Sequence, residues 1–194
     1  MTRDRTHFTA LQRALHWLMA AAILAMLFIG VGMVSTVAPA YVPLLATHKT
    51  LGIAILVLAL ARLAVRLRSG APALPAGLPV PVRLAAHLSH AALYGLMIAL
   101  PVIGWGMLSA AGYPIVLLGG IRLPPILPPS DTLHAVLWTA HAGLAFALFA
   151  LILMHVAAAL FHALVRRDGV FESMAPVPAA RARPPVRPGQ APAE

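Results

Sequence analysis

The sequence predicts an all-α integral membrane protein, four helices in an up-and-down bundle, and three observations carry that prediction. Of 194 residues, 61% are hydrophobic and only 10% charged, under half of the roughly 25% that keeps a soluble globule in water. Four predominantly apolar stretches each reach the roughly 20 residues that a helix needs to cross a bilayer core of about 30 Å. Finally, the basic residues gather in alternate connections between those stretches. At this length the chain forms one compact unit, and membrane lipid, not nucleic acid, is its expected partner. With no cysteine, disulfides, iron–sulfur sites and thioether-linked cofactors are excluded. Metal chemistry falls to the nine histidines.

The first span runs from Ala14 to about Val34, behind Arg13. Ala38-Pro39-Ala40 imitates a signal-peptide cleavage pattern, but the apolar run is longer than the roughly 7 to 15 residues of such a signal, so a retained first helix is expected. The second span runs from about Pro43 to Leu67, with Pro43 suited to the first turn of a helix and Arg62 and Arg66 placed to snorkel to the interface. The third runs from Leu84 to about Leu108, with Pro101 predicted to kink it by removing a backbone hydrogen bond. The fourth lies within Thr132 to Val165, entered by Ser130 and Asp131 as capping residues. At ~1.5 Å per residue it reaches about 51 Å, so it must tilt or stand partly outside the hydrocarbon.

Twelve of the fourteen basic residues precede the first span, flank the connection between the second and third, or follow the fourth. Lys49 and Arg122 alone fall near the other two connections. The positive-inside rule therefore expects both termini in the cytoplasm. The connections 70–81 and 114–129 are rich in proline and read as short and stiff. Residues 1–175 are expected to form the membrane domain, and the Pro, Ala and Arg-rich tail 176–194 to be disordered, with arginines able to touch anionic lipid.

An ionisable side chain inside a membrane is a functional hypothesis from the outset. His16, His48, His87, His90, His141, His155 and His162 all lie in or near spans. His141 and His155, fourteen residues apart, are within about 40° of four whole helical turns, so they share a face about 21 Å apart. The predicted topology places His16 at the depth of His155, and His48 at the depth of His141. Pairs of neutral imidazoles on facing helices at two depths suit bis-histidine ligation of two haems within the bundle core, which together would form an electron path across the membrane. Depth leaves His162, or His87 with His90, as competitors for the inner iron. Gly30, Gly32, Gly52, Gly95, Gly104 and Gly143 supply small surfaces that would admit a porphyrin or close helix packing. The lack of carboxylates within the spans argues against a proton pump or cation transporter.

At this point the chain resembles the bacterial cytochrome b561 family of four-helix dihaem proteins over about residues 10 to 175. The resemblance rests on Leu15-His16-Trp17, on His48 with Leu51-Gly52, Arg62 and Arg66, on His87-Leu88-Ser89-His90 with Tyr94 and Ala99-Leu100-Pro101-Val102-Ile103-Gly104, and on His141 with His155-Val156-Ala157-Ala158-Ala159-Leu160 and His162. It implies two non-covalent b-type haems, His16 and His155 on the cytoplasmic-side iron and His48 and His141 on the outer one, in a bacterial inner membrane. It further implies electron exchange with a quinone, and for one branch the oxidation of superoxide at the outer face with reduction of ubiquinone. In that scheme Lys49, helped by Arg122, steers the anion, and His162, two turns beyond His155, meets the quinone or carries its proton. Two alternatives stand beside it: an electron-transfer subunit serving a separate dehydrogenase or redox partner protein, and a haem-free histidine-rich membrane transporter. Oligomeric state is not encoded in these features.

Overall fold

The computed structural model describes residues 7–36, 39–73 and 77–176. Four long helices dominate it: α1 Ala10–Ser35, α2 Tyr41–Ser69, α3 Val80–Ala110 and α4 Asp131–Phe161. Each is long and apolar enough to cross a membrane, and many of their large apolar side chains face outward, such as Phe28 at 78% and Phe146 at 76% exposure. Such faces are tolerable only where lipid, not water, surrounds them. The tail assigned to disorder begins at Pro176, and its remainder lies outside the described residues.

The helix ends show why the elements start where they do. Thr9 caps α1 in a capping box with Gln12: Thr9 Oγ1 accepts from the Gln12 amide at 3.2 Å, and Gln12 Oε1 accepts from the Thr9 amide at 3.0 Å. This reciprocal pair satisfies two amide donors that a helix start otherwise leaves open, and it begins α1 four residues before the apolar stretch does. Ser130 caps α4, its hydroxyl accepting from Leu133 N–H. Pro43 falls within the first turn of α2, and Pro101 lies inside α3.

Consecutive helices run in alternating directions. Gln12 Nε2 donates to the Gly70 carbonyl at 2.8 Å, tying the start of α1 to the end of α2, while Ser130 N–H donates to Ala110 O at 2.8 Å and joins α3 to α4. After α4 the chain widens into a π-turn, His162–Arg166, reverses at Arg167 in the left-handed region (φ 50°), and forms a short helix α5, Val170–Met174. Phe8 N–H donates to Ser173 O, and Trp17 Nε1 donates to Met174 O at 2.9 Å. The two ends of the described chain thus meet at one end of the bundle, the end rich in arginine.

The opposite end carries structure that proline content alone does not reveal. Between α3 and α4 the chain forms a small antiparallel hairpin, β1 Ile115–Val116 with β2 Arg122–Leu123, in which Ile115 pairs with Leu123 and Val116 with Arg122. It is clamped to the helices: Leu118 N–H donates to Thr50 Oγ1 at 2.8 Å, and Trp105 Nε1 donates to Pro124 O at 2.8 Å.

The protein core is thin. Met19, Ala59, Tyr94 and Met97 form its buried centre. The best-packed seams join α3 to α4 and α1 to α2, with a lesser one between α2 and α3. Neither α1 with α4 nor α2 with α4 forms a comparable seam, although these are the helix pairs that carry the facing histidines.

Candidate functional site

Two pairs of imidazoles occupy the loosely packed sides of α4. The rings of His16 on α1 and His155 on α4 have centroids 6.3 Å apart at an interplanar angle of 58°. Those of His48 on α2 and His141 on α4 lie 6.2 Å apart at 65°. Two imidazoles on opposite sides of one metal ion, each bonded at about 2.0 Å through a nitrogen roughly 1.1 Å from its ring centre, have centres about 6.2 Å apart. Both pairs therefore have the spacing that bis-imidazole ligation needs. Among the described residues no three metal-ligating side chains converge.

Further features fit a metal-bearing cofactor of this kind. All four rings are partly buried, and Nδ1 of His16, His48 and His141 is buried with no hydrogen-bond partner. Bare buried imidazole nitrogens are costly, and neutral imidazole is a good ligand. The His141 ring faces the Leu100 backbone without reaching hydrogen-bond geometry. It is admitted by Gly104 on α3, where a Cβ would stand 3.2 Å from His141 Cε1. Gly52 meets only the tip of Met26, and Gly30, Gly95 and Gly143 have open space where a side chain would be.

The competing histidines are placed differently. His87 is exposed and its Nδ1 meets Arg83 O at 2.7 Å, while His90 Nδ1 meets Ala86 O at 2.6 Å, each within α3. The His90 ring stands edge-on to His155 at 5.4 Å, shorter than the spacing across a shared metal. His90 therefore packs edge-on against His155 rather than facing it across a shared metal. His162, in the π-turn, is bound by a carboxylate: its Nδ1 lies 2.8 and 3.0 Å from the two Asp168 oxygens. Arg166 Nε lies 3.2 Å from Asp168 Oδ2, and Val170 N–H donates to Oδ1. Slight burial works against the Asp168 charge, yet the His162 and Val170 hydrogen bonds and Arg166 hold its carboxyl below the usual range. Sequence reasoning had His162 and missed Asp168. The available signal was an acidic residue followed by Gly169, just past a span, in a chain with only five acidic residues.

The remaining basic residues divide. Lys49 is partly buried beside His48, with no side-chain hydrogen bond or ion pair among the described residues, and Arg122 is exposed on β2. Arg62 does not follow the default expected of it, an outward snorkel, but turns inward, the side on which the family resemblance also allowed it to meet an inner haem carboxylate. Its guanidinium lies over the Tyr94 ring, 5.4 Å from the centroid, beside the His16 and His155 level.

A family profile for prokaryotic cytochrome b561 matches residues 7–176. The chain belongs to that family. It is 30% identical over 176 residues to cytochrome b561 homolog 2 of Escherichia coli (strain K12), covering 89% of this chain and 93% of that protein. It is 31% identical over 130 residues to cytochrome b561 homolog 1 of the same organism, covering 67% and 73%. It is also 36% identical over 130 residues, 66% and 73% of the two chains, to a protein of Yersinia pestis named probable superoxide oxidase CybB. As a cytochrome b561 the chain is a multi-pass membrane cytochrome that binds b-type haem and transfers electrons. The histidine pairs and the absence of cysteine suit non-covalent haem.

Proposed function

We propose that this cytochrome b561 holds two b-type haems, one between His16 and His155 and one between His48 and His141, and passes electrons from a donor at the hairpin end to ubiquinone. The observation that carries the reading is the equal spacing of the two histidine pairs, 6.3 and 6.2 Å. Haem held by two imidazoles would supply one-electron relay rather than oxygen binding. The arginine-rich end faces the cytoplasm of a bacterial inner membrane under the positive-inside rule, and the hairpin end faces outward.

Superoxide is the preferred donor. It is an anion, and Lys49, next to His48, supplies a positive charge at the hairpin end that steers it. The likeness to a relative named probable superoxide oxidase supports the same reading. Two superoxide ions lose one electron each and become two dioxygen molecules, while one ubiquinone takes both electrons with two protons and becomes ubiquinol. His162, held by Asp168 at the other end, supplies or relays a proton to the quinone. The purified protein in detergent, given a superoxide source and a short-chain ubiquinone, is expected to form ubiquinol without any other protein, and Lys49→Gln to slow it. Ubiquinol formed only after a membrane extract is added would instead make the chain an electron-transfer subunit.

A further inference from the structure

The hairpin between α3 and α4 is two-faced. Ile115 and Leu117 are buried against the helices, whereas Leu118 and Ile121 at its tip are 53% and 61% exposed. The tip is not held out above the bundle. Leu118 N–H donates to Thr50 Oγ1 at 2.8 Å, and Thr50 lies nine residues into α2, about 14 Å along the helix from its start. Arg66 and Arg68, in the last turn of α2, stand about 24 and 27 Å from Thr50 in the other direction. With the arginines at one edge of a hydrocarbon core about 30 Å thick, Thr50 and the hairpin tip fall at the other edge, not out in water. Val57, two turns from Thr50 on the same face of α2, is exposed as well, so the apolar tip continues the lipid-facing surface of that helix. Non-helical backbone survives near this depth only where its polar groups are paired. Besides the bond to Thr50, Leu117 N–H donates to Ile121 O at 2.9 Å and Gly120 N–H to Leu117 O at 3.1 Å, and the two strands pair with each other.

We propose that the hairpin tip is a membrane anchor: it dips into the phospholipid leaflet at its end of the bundle, with Leu118 and Ile121 against acyl chains and Arg122 among the headgroups. Arg122 follows Ile121 on β2 and is exposed, and its guanidinium suits a lipid phosphate through paired N–H donors. Apolar contact below and a cation at headgroup level is the arrangement by which interfacial segments hold to a bilayer. Such an anchor, fastened to α2 by Thr50 and to α3 by Trp105, fixes the depth and tilt of the bundle at this end. The contact is independent of what the histidine pairs hold.

The absence of cysteine makes the test direct, because each of Leu118→Cys, Ile121→Cys, Val57→Cys and Asp131→Cys carries a single thiol. Val57 is the lipid reference. Asp131, exposed at the start of α4 and about 50 Å from Arg166 along that helix, is the water reference. The full-length variants are placed one chain per bilayer disc of phosphatidylethanolamine and phosphatidylglycerol, so that lipid is the only cover on offer, and are treated with a charged, membrane-impermeant maleimide. Mass spectrometry follows the labelled fraction with time. Leu118→Cys and Ile121→Cys are expected to react at least about tenfold more slowly than Asp131→Cys and close to Val57→Cys, because apolar surroundings suppress the reactive thiolate and exclude the reagent. All four are expected to react alike once the disc is dissolved in dodecyl sulfate. Labelling of Leu118→Cys or Ile121→Cys in the disc at the rate of Asp131→Cys would overturn the anchor and leave the tip as a water-facing surface for a protein partner or a second copy. A rate gap that persists in dodecyl sulfate would overturn it too, since the slow reaction would then owe nothing to lipid.

Discussion

Gly104 separates a cofactor site from an ordinary helix contact. A Cβ added there would stand 3.2 Å from Cε1 and 3.5 Å from Nδ1 of His141. Carbon atoms pack best at about 3.5 to 4.0 Å, so alanine must push the imidazole away by at least about 0.3 Å, already beyond the ±0.2 Å or so that ligand distances tolerate. Helix propensity works in the opposite sense: replacing a mid-helix glycine by alanine favours the helix by roughly 1 kcal/mol. Gly104→Ala is therefore expected to leave α3 intact and to keep both haems, with a changed low-spin signature for one of them in electron paramagnetic resonance. Gly104→Leu overpacks the site, an effect that typically costs about 1–3 kcal/mol, and is expected to expel the haem of the His48 and His141 pair while the other stays. Haem-to-protein ratio and paramagnetic resonance on the same preparations read both effects. Two haems with unaltered signals in Gly104→Leu would refute the claim that His141 needs its present place.

Further expectations follow from individual contacts. Asp168→Asn should loosen the turn at 166–170, seen as faster hydrogen exchange at Val170, whose amide donates to Asp168. In the unsubstituted protein the depressed Asp168 pKa means that this contact contributes stability above the unfolded carboxylate value of about 3.9 and loses it as pH falls through the folded value. Exchange at Val170, after correction for intrinsic rates, should therefore rise as pH falls through the folded Asp168 value into stronger acid. Thr50→Val removes the acceptor of the Leu118 amide, at a cost of about 1 kcal/mol, and should raise exchange across 115–123 without changing haem content.

Much of this molecule is legible in its sequence, because lipid imposes a simple rule on composition: spans must be long and predominantly apolar, with few charges. The four helices and the Ser130 cap follow from that rule and from capping chemistry. Helical periodicity puts His141 and His155 on one face and the topology supplies His48 and His16 at their depths, but His162, His87 and His90 competed at the inner level, and there the family resemblance chose His16 with His155. The features that escaped depend on where the backbone goes after a span ends. The π-turn, the left-handed Arg167 and α5 bring Asp168 back onto His162, and no periodic pattern encodes such a reversal. The hairpin 115–123 is held by single bonds to Thr50 and Trp105, contacts between segments far apart in sequence. Arg62 misleads for a related reason. Near the end of a span an arginine has two outlets, the interface or the bundle interior, and only the position of Tyr94 on another helix chooses between them.

The central claim, two haems held by four histidines, meets its most direct test in the pyridine haemochrome spectrum and haem-to-protein ratio of the purified chain, measured beside His141→Ala and His16→Ala. The account predicts two b-type haems per chain in the unsubstituted protein and one in each variant. A single haem in the unsubstituted protein, or two in either variant, would contradict it.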